Sequence, residues 1–220
     1  MISLKNIHFK YPKSNFKLEI KDLTIEKGSK VAFVGPSGSG KTTLLRLIAG
    51  IYVPENGFIN IDEITINRLS DAQRRNFRIA NIGFVFQDFE LIDYLDVFEN
   101  ILIPYLINRS LNLDNSVRNL AREIAISMDL KDKLERPVGK LSQGERQRVA
   151  ICRAILTNPQ IILADEPTGN LDSKNKDRIV KILFDKSKKT NSTLLMVTHD
   201  QSLLEGFDRV LNFQDFRSDS

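Results

Sequence analysis

Nine consecutive residues, Gly35-Pro36-Ser37-Gly38-Ser39-Gly40-Lys41-Thr42-Thr43, have the types and spacing needed to hold a phosphate chain. The pattern G-x-x-x-x-G-K-[ST] is the phosphate-binding loop of nucleotide hydrolases. Glycines let the backbone curl so that its N–H groups point inward at phosphate oxygens. Lys41 brings a positive charge to the β- and γ-phosphates, and the Thr42 hydroxyl is a ligand for Mg²⁺. The apolar run Val31 to Val34 before the loop reads as a buried strand. Thr43 to Ala49 after it reads as a helix stopped by Gly50. The helix N-terminus then faces the phosphates, where its dipole favours anions.

Two acids complete this chemistry. Ile161-Ile162-Leu163-Ala164-Asp165-Glu166 is an apolar strand that ends in carboxylates. At a strand tip beside a phosphate loop, Asp165 is placed to hold Mg²⁺, directly or through water. Glu166 is then free to act as the base that polarises the attacking water. A third feature is Ser142 followed by Glu145, a capping box that opens a helix over Arg146 to Leu156, before Pro159. A helix start built on serine and glycine is also an anion site. It can meet the γ-phosphate of a nucleotide held by another subunit.

These residues need a sheet and helices to bring them together. The first segment alternates strands and turns: Met1 to Phe9, a turn at Tyr11 to Asn15, Phe16 to Ile20, and Leu23 to Ile25. Gly57 to Ile61 and Ile64 to Ile66 read as a hairpin, and Ile82 to Phe86 as a strand ending at Gln87. From about Phe89 to Leu134 the pattern turns helical. Val117, Leu120, Ala121, Ile124, Ala125 and Met128 share one face, with Asp114 as cap. Strands return at Ile161 to Ala164 and Leu194 to Val197, joined by a helix from about Ser173 to Lys186. Such apolar runs suit a parallel sheet buried on both faces. The chain reads as a nucleotide-binding α/β core interrupted by a helical insertion.

A length of 220 residues with 41% apolar content suits one soluble domain with a sizeable core. The longest apolar stretch, Ile101 to Ile107, is too short to cross a bilayer and contains Pro104. The N-terminus mixes Lys5, His8 and Lys10 into its apolar residues, unlike a secretory signal, so the cytoplasm is the expected compartment. A single cysteine, Cys152, excludes an internal disulfide and a cysteine-based zinc site; its apolar surroundings make it a buried residue. The net charge of +4 comes from scattered residues and reads as a solvated surface, with no nucleic-acid partner expected.

The complete set of motifs resembles the ATP-binding subunit of ABC transporters, over essentially the whole chain and in the family's order. Gly35 to Thr43 resembles the Walker A loop, Leu141 to Glu145 the signature sequence, and Leu163 to Glu166 Walker B. Gln87 sits where the family has its Q-loop glutamine, a ligand of Mg²⁺ and a sensor of the membrane partner. Gly169-Asn170-Leu171-Asp172 resembles the D-loop, and His199 the switch histidine that contacts the γ-phosphate. Tyr11 is placed like the aromatic that stacks on adenine. One departure is Gln143, where the commonest signature has glycine; Ser142 and Gly144 are kept.

The resemblance implies an α/β fold: a P-loop NTPase core with a parallel central sheet, an N-terminal antiparallel β subdomain and an inserted α-helical subdomain. One domain spans 1–220, with the core at about 1–87 and 158–220 and the helical part at about 88–157. It implies an ATPase using ATP and Mg²⁺, with Glu166, His199 and Gln87 at the chemistry and Thr42, Gln87 and Asp165 on the metal. Two cassettes pair head to tail, with a homodimer expected and a heterodimer left open, Ser142 and Gly144 of one meeting the nucleotide of the other. An integral membrane permease docks near Gln87 and Phe89 to Phe98, which places the chain on the inner face of the membrane. The string Asp165 to Ser173 is similar to the branch of lipoprotein-releasing, macrolide- and peptide-exporting and cell-division cassettes. The alternative within the superfamily is a soluble translation or repair ATPase.

Overall fold

A computed structural model describes residues 1–169, 171 and 173–216. Asn170 and Asp172 of the D-loop lie outside the described residues. Strands β1 (Ile2–Lys10) and β2 (Lys17–Ile25) pair antiparallel, with Leu4 opposite Leu23 and Ile7 opposite Ile20. The two strands expected at Phe16 to Ile20 and Leu23 to Ile25 are one. Their apolar alternation slips by a residue between Leu18, Ile20 and Leu23, Ile25, which makes one strand look like two. β1 slips at the matching point, between Leu4 and Ile7, where Asn6 takes a left-handed φ of 50°.

Next come β3 (Lys30–Val34), α1 (Lys41–Ile48), β4 (Asn56–Ile61) and β5 (Ile64–Thr65). The antiparallel sheet has the order β2-β1-β4-β5. Gly57 lies against the Asn6 irregularity, and a Cβ there would sit 2.3 Å from Asn6 O. Helix α1 begins at Lys41, two residues before the expected start, because Gly40 at φ 110° already turns the chain into the helix.

The chain continues with α2 (Asp71–Asn81), β6 (Ile82–Val85), α3 (Val97–Ile107), α4 (Asn115–Ser127) and α5 (Gln143–Leu156). Then follow β7 (Ile161–Asp165), α6 (Ser173–Thr190), β8 (Thr193–Val197) and β9 (Arg209–Asn212). The second sheet is parallel, in the order β6-β7-β8-β3-β9. β7 and β8 are buried along their full lengths, as continuous apolar runs require. The α3–α5 layer is inserted between β6 and β7, and its Val149, Ile151 and buried Cys152 share one apolar core with Val85, Ile162 and Leu194 of the sheet.

Further expectations are corrected. β6 ends at Val85, and the segment after it is not helical until Val97. α6 runs on to Thr190. Helix α2 was not anticipated, although Ser70 and Gln73 form a complete capping box at its start. Asp114 caps α4 and Ser142 caps α5, both as expected.

Gly83 shows how closely the layers approach. A Cβ at this position would lie 2.1 Å from the Ala154 carbonyl oxygen and 2.9 Å from Pro159. Backbone cannot yield as a side chain does, so Gly83→Ala should cost about 3 kcal/mol. Thermal melting should show this as a fall of roughly 10 °C. A midpoint within a degree of the parent would mean that α5 slides freely on the sheet.

Candidate functional site

The C-terminal ends of β3, β7 and β8 meet at one edge of the parallel sheet and deliver the phosphate loop, Asp165-Glu166 and His199 to a common cleft. The cleft has a volume of about 750 Å³, large enough for a nucleotide. Gly35, Ser37, Gly38, Gly40, Lys41 and Thr42 form its floor. Gly38 and Gly40 hold φ of 74° and 110°, which a side chain would strain. α1 has no side-chain cap at its N-terminus, so its first N–H groups point into the cleft without a protein acceptor.

Lys41 is only 7% exposed. Its Nζ donates to the carbonyls of Gly35 and Pro36, each at 2.8 Å. Burial lowers its pKa, opposed by the charges of Glu166 and Asp165. The lysine is therefore folded back onto its own loop, with its charge held beside the cleft.

Asp165 is 2% exposed. Burial raises its pKa, the Thr42 hydroxyl donates to it and lowers the pKa, and the Glu166 charge raises it. Its Oδ1 is buried and has no hydrogen-bond partner, as is Ser39 Oγ. A buried oxygen without a partner, next to a hydroxyl, fits a divalent cation; Gln87 lines the same cleft. The set of carboxylate, hydroxyl and amide oxygens suits Mg²⁺ shared with substrate phosphates.

Glu166 follows directly, with a left-handed φ of 49°. Its N–H donates to Val197 O at 3.0 Å, and its carbonyl accepts from Gly169 N at 3.2 Å. His199 Nδ1 lies 2.8 Å from Glu166 Oε2. The two groups are within ion-pair distance, while Oε2 accepts no hydrogen bond. His199 is 71% exposed on its side chain, so its outer face is open to the cleft.

Tyr11 stands at the rim. Its hydroxyl shares a 2.8 Å hydrogen bond with Thr43 Oγ1, and its ring lies 5.4 Å from that of Phe16. Ser142 and Gly144 do not line this cleft; Ser142 caps α5 and Gly144 lies in its first turn. Gln143 beside them is exposed.

Several contributors carry no sequence signal of their own. Ser14 and Phe16 line the cleft. Arg153 donates to the carbonyls of Phe89 at 2.6 Å and Glu90 at 2.5 Å, two consecutive left-handed residues just past Gln87. Gln147 donates to the Pro167 carbonyl. Each is an ordinary residue type in an ordinary helix or turn, and only the tertiary arrangement reveals its partner.

Comparison with known proteins agrees with this geometry. Residues 18–169 match the family described as ABC transporter. The lipoprotein-releasing system ATP-binding protein LolD of Bacteroides fragilis is 41% identical over 194 residues, covering 88% of this chain and 89% of that protein. An uncharacterized ABC transporter ATP-binding protein of Mycobacterium tuberculosis is 39% identical over 220 residues, covering 99% and 88%. A dimeric ATP-binding cassette in a post-hydrolysis state, bound to ADP and Pi, superposes with a TM-score of 0.89 at 35% identity, covering 96% and 94% of the two chains. A translation or repair factor is not favoured by these likenesses. The phosphate loop, the paired acids and the histidine on one cleft, with the family match around them, make this chain a member of the ABC transporter family: its ATP-binding, ATP-hydrolysing subunit.

Proposed function

We propose that this subunit hydrolyses Mg-ATP between two copies of itself on the inner face of a membrane, and so drives a permease that extrudes lipoprotein, peptide or drug cargo. The observation that carries this reading is the division of the motifs. Gly35 to Thr43, Asp165, Glu166 and His199 belong to one cleft, whereas Ser142 and Gly144 lie outside it. A second copy, turned head to tail, would bring them to the open side. The relatives named LolD support the lipoprotein-releasing branch. Among the described residues no helix is long and apolar enough to cross a membrane, so a separate permease would supply the span. The 88–157 segment acts as the helical subdomain that meets it.

The chain's residues divide the work as follows. The N–H groups of Gly38 to Thr43 and the Lys41 ammonium bind the phosphates. Tyr11 carries the adenine. Thr42, Asp165 and Gln87 would hold Mg²⁺, which would supply positive charge to offset that of the phosphates. Glu166 takes the proton of the attacking water, and His199 contacts the γ-phosphate and keeps the carboxylate aimed.

Within the expected docking region near Gln87 and Phe89 to Phe98, not every apolar residue is available to a partner. Phe89 is 6% exposed and belongs to the core. Beside it runs an apolar groove lined by Phe86, Ile103, Pro104 and Ile107, with Arg78 and Glu90 at its margin. We assign this groove to an amphipathic cytoplasmic helix of the permease. Ile107→Asp, at a position 63% exposed, should lose capture of a multi-spanning partner from detergent-solubilised membranes by at least about tenfold, one buried charge being enough. ATP binding by that variant should match the parent. Full capture would move the dock elsewhere, and failure of the parent to capture any membrane protein would count against the transporter reading.

A further inference from the structure

Gln147 lies in the second turn of α5 and is 2% exposed. Its Nε2 donates to the carbonyl of Pro167, the residue immediately after Glu166. The other end of the amide, Oε1, is buried and accepts no hydrogen bond. An unmet buried acceptor is unfavourable, and an apolar side chain of the same size would avoid it. Packing alone therefore gives no reason for glutamine here. What the glutamine supplies, and methionine or leucine cannot, is the donor to Pro167.

That donor acts on a turn whose shape matters. Glu166 sits in the left-handed region, which a residue with a Cβ occupies only when its surroundings hold it there. On one side Val197 O fixes its N–H at 3.0 Å, and inside the turn Gly169 N and Leu171 N donate to Glu166 O and Thr168 O. α5 closes the other side. Gly144 leaves room for Leu171, whose Cδ2 would stand 3.0 Å from a Cβ there, and Gln147 grips the carbonyl of Pro167. This bond is one peptide from the Glu166 Cα, with a proline ring between them that permits little torsional freedom.

We propose that Gln147 is a positioning residue for hydrolysis: by holding the Pro167 carbonyl to α5 it keeps Glu166 in the left-handed conformation that aims its carboxylate into the cleft. The inference rests on the reading of Glu166 as the base. It assigns no contact between Gln147 and the nucleotide, so binding and turnover should separate. A base displaced by about an ångström loses rate steeply, on the order of 100-fold at the extreme.

The test compares the parent, Gln147→Met, Glu166→Gln and the double variant as purified full chains. Hydrolysis is followed by phosphate release, Mg-ATP affinity by equilibrium binding, and stability by thermal melting. Gln147→Met should lower kcat about tenfold, leave KM and ATP affinity within about twofold, and melt within a few degrees of the parent, since it removes the unmet Gln147 Oε1 but leaves the buried Pro167 carbonyl without its donor. In the Glu166→Gln background it should slow the residual reaction no further, because two changes acting through one group are not additive. Parental turnover by Gln147→Met would overturn the proposal. So would an equal loss in both backgrounds, which would show that the effect bypasses Glu166. A fall in melting temperature with KM rising alongside would make Gln147 a structural residue, as would failure of both Gln147→Met and Gln147→Leu to fold. Glu166→Gln at the parental rate would remove the base itself and this proposal with it, a result distinct from a slow Glu166→Gln beside a fast Gln147→Met.

Discussion

Glu166→Gln should reduce ATP hydrolysis by about 100-fold or more while leaving ATP binding close to the parent's. The amide is isosteric, so the turn from Glu166 to Gly169 and its hydrogen bond to Val197 O can persist. What disappears is the ability to take a proton from water. Loss of charge beside Lys41 and Asp165 should also ease the approach of an anionic nucleotide. With binding intact and turnover slow, the ATP-bound pair should accumulate. Size-exclusion mass with and without Mg-ATP then reads the composite site directly. A shift from monomer to dimer supports the head-to-tail arrangement. A monomer at saturating ATP would mean either that the permease is needed to bring the copies together, or that Gln143 weakens the contact across the pair. Gln143→Gly separates these, since only in the second case does it restore the dimer. Hydrolysis at the parental rate would show that another group is the base.

Lys41→Ala should weaken ATP binding by about 10–100-fold, for the loss of roughly 1.5–3 kcal/mol of charge-assisted hydrogen bonding. Phosphate release should become undetectable. The same ammonium that Gly35 and Pro36 hold at 2.8 Å is the only lysine among the described residues that line the cleft. To serve a nucleotide it must leave two neutral carbonyls for charged phosphate oxygens, a favourable exchange. Without it the cleft retains two carboxylates with no ammonium to balance them, and Asp165 already pays for burial with a raised pKa. Titration calorimetry with ATP provides the measurement. An affinity within twofold of the parent would shift the main phosphate contact to the backbone amides alone.

Chemistry was more legible in the sequence than architecture, for a physical reason. The phosphate loop, the acids ending β7 and the capping box of α5 are short and local, and their backbone demands restrict which residues can serve. α2 leaves little periodic trace in the sequence because none of its residues is buried, although Ser70 and Gln73 carry the same cap as Ser142 and Glu145. β9 is four mostly exposed residues that become a strand only by pairing with β3. The segment from Phe89 to Leu95 is apolar enough to pass for helix. It is shaped instead by the buried Asn100, which donates to the carbonyls of Ile92, Leu95 and Asp96 and accepts from Ile92 N. Such a bond network depends on tertiary placement, which no periodicity reports. The same holds for Gln147 and Arg153, whose partners lie 20 and more than 60 residues away.

The strand order has a consequence for how the molecule comes into being. The phosphate loop follows β3 and the acids end β7, yet the two strands never touch; β8 lies between them and bonds to both. A growing chain therefore carries every phosphate ligand of the loop long before it has a cleft, and the wedge that sets their spacing is synthesised after both strands it separates. Long-range pairing of this kind is slow and is completed late. Nucleotide affinity is thus a property acquired in a single late step, when Thr193 to Val197 slots between its neighbours, and ATP can act as a ligand that rewards the finished fold and ignores the fragments that precede it.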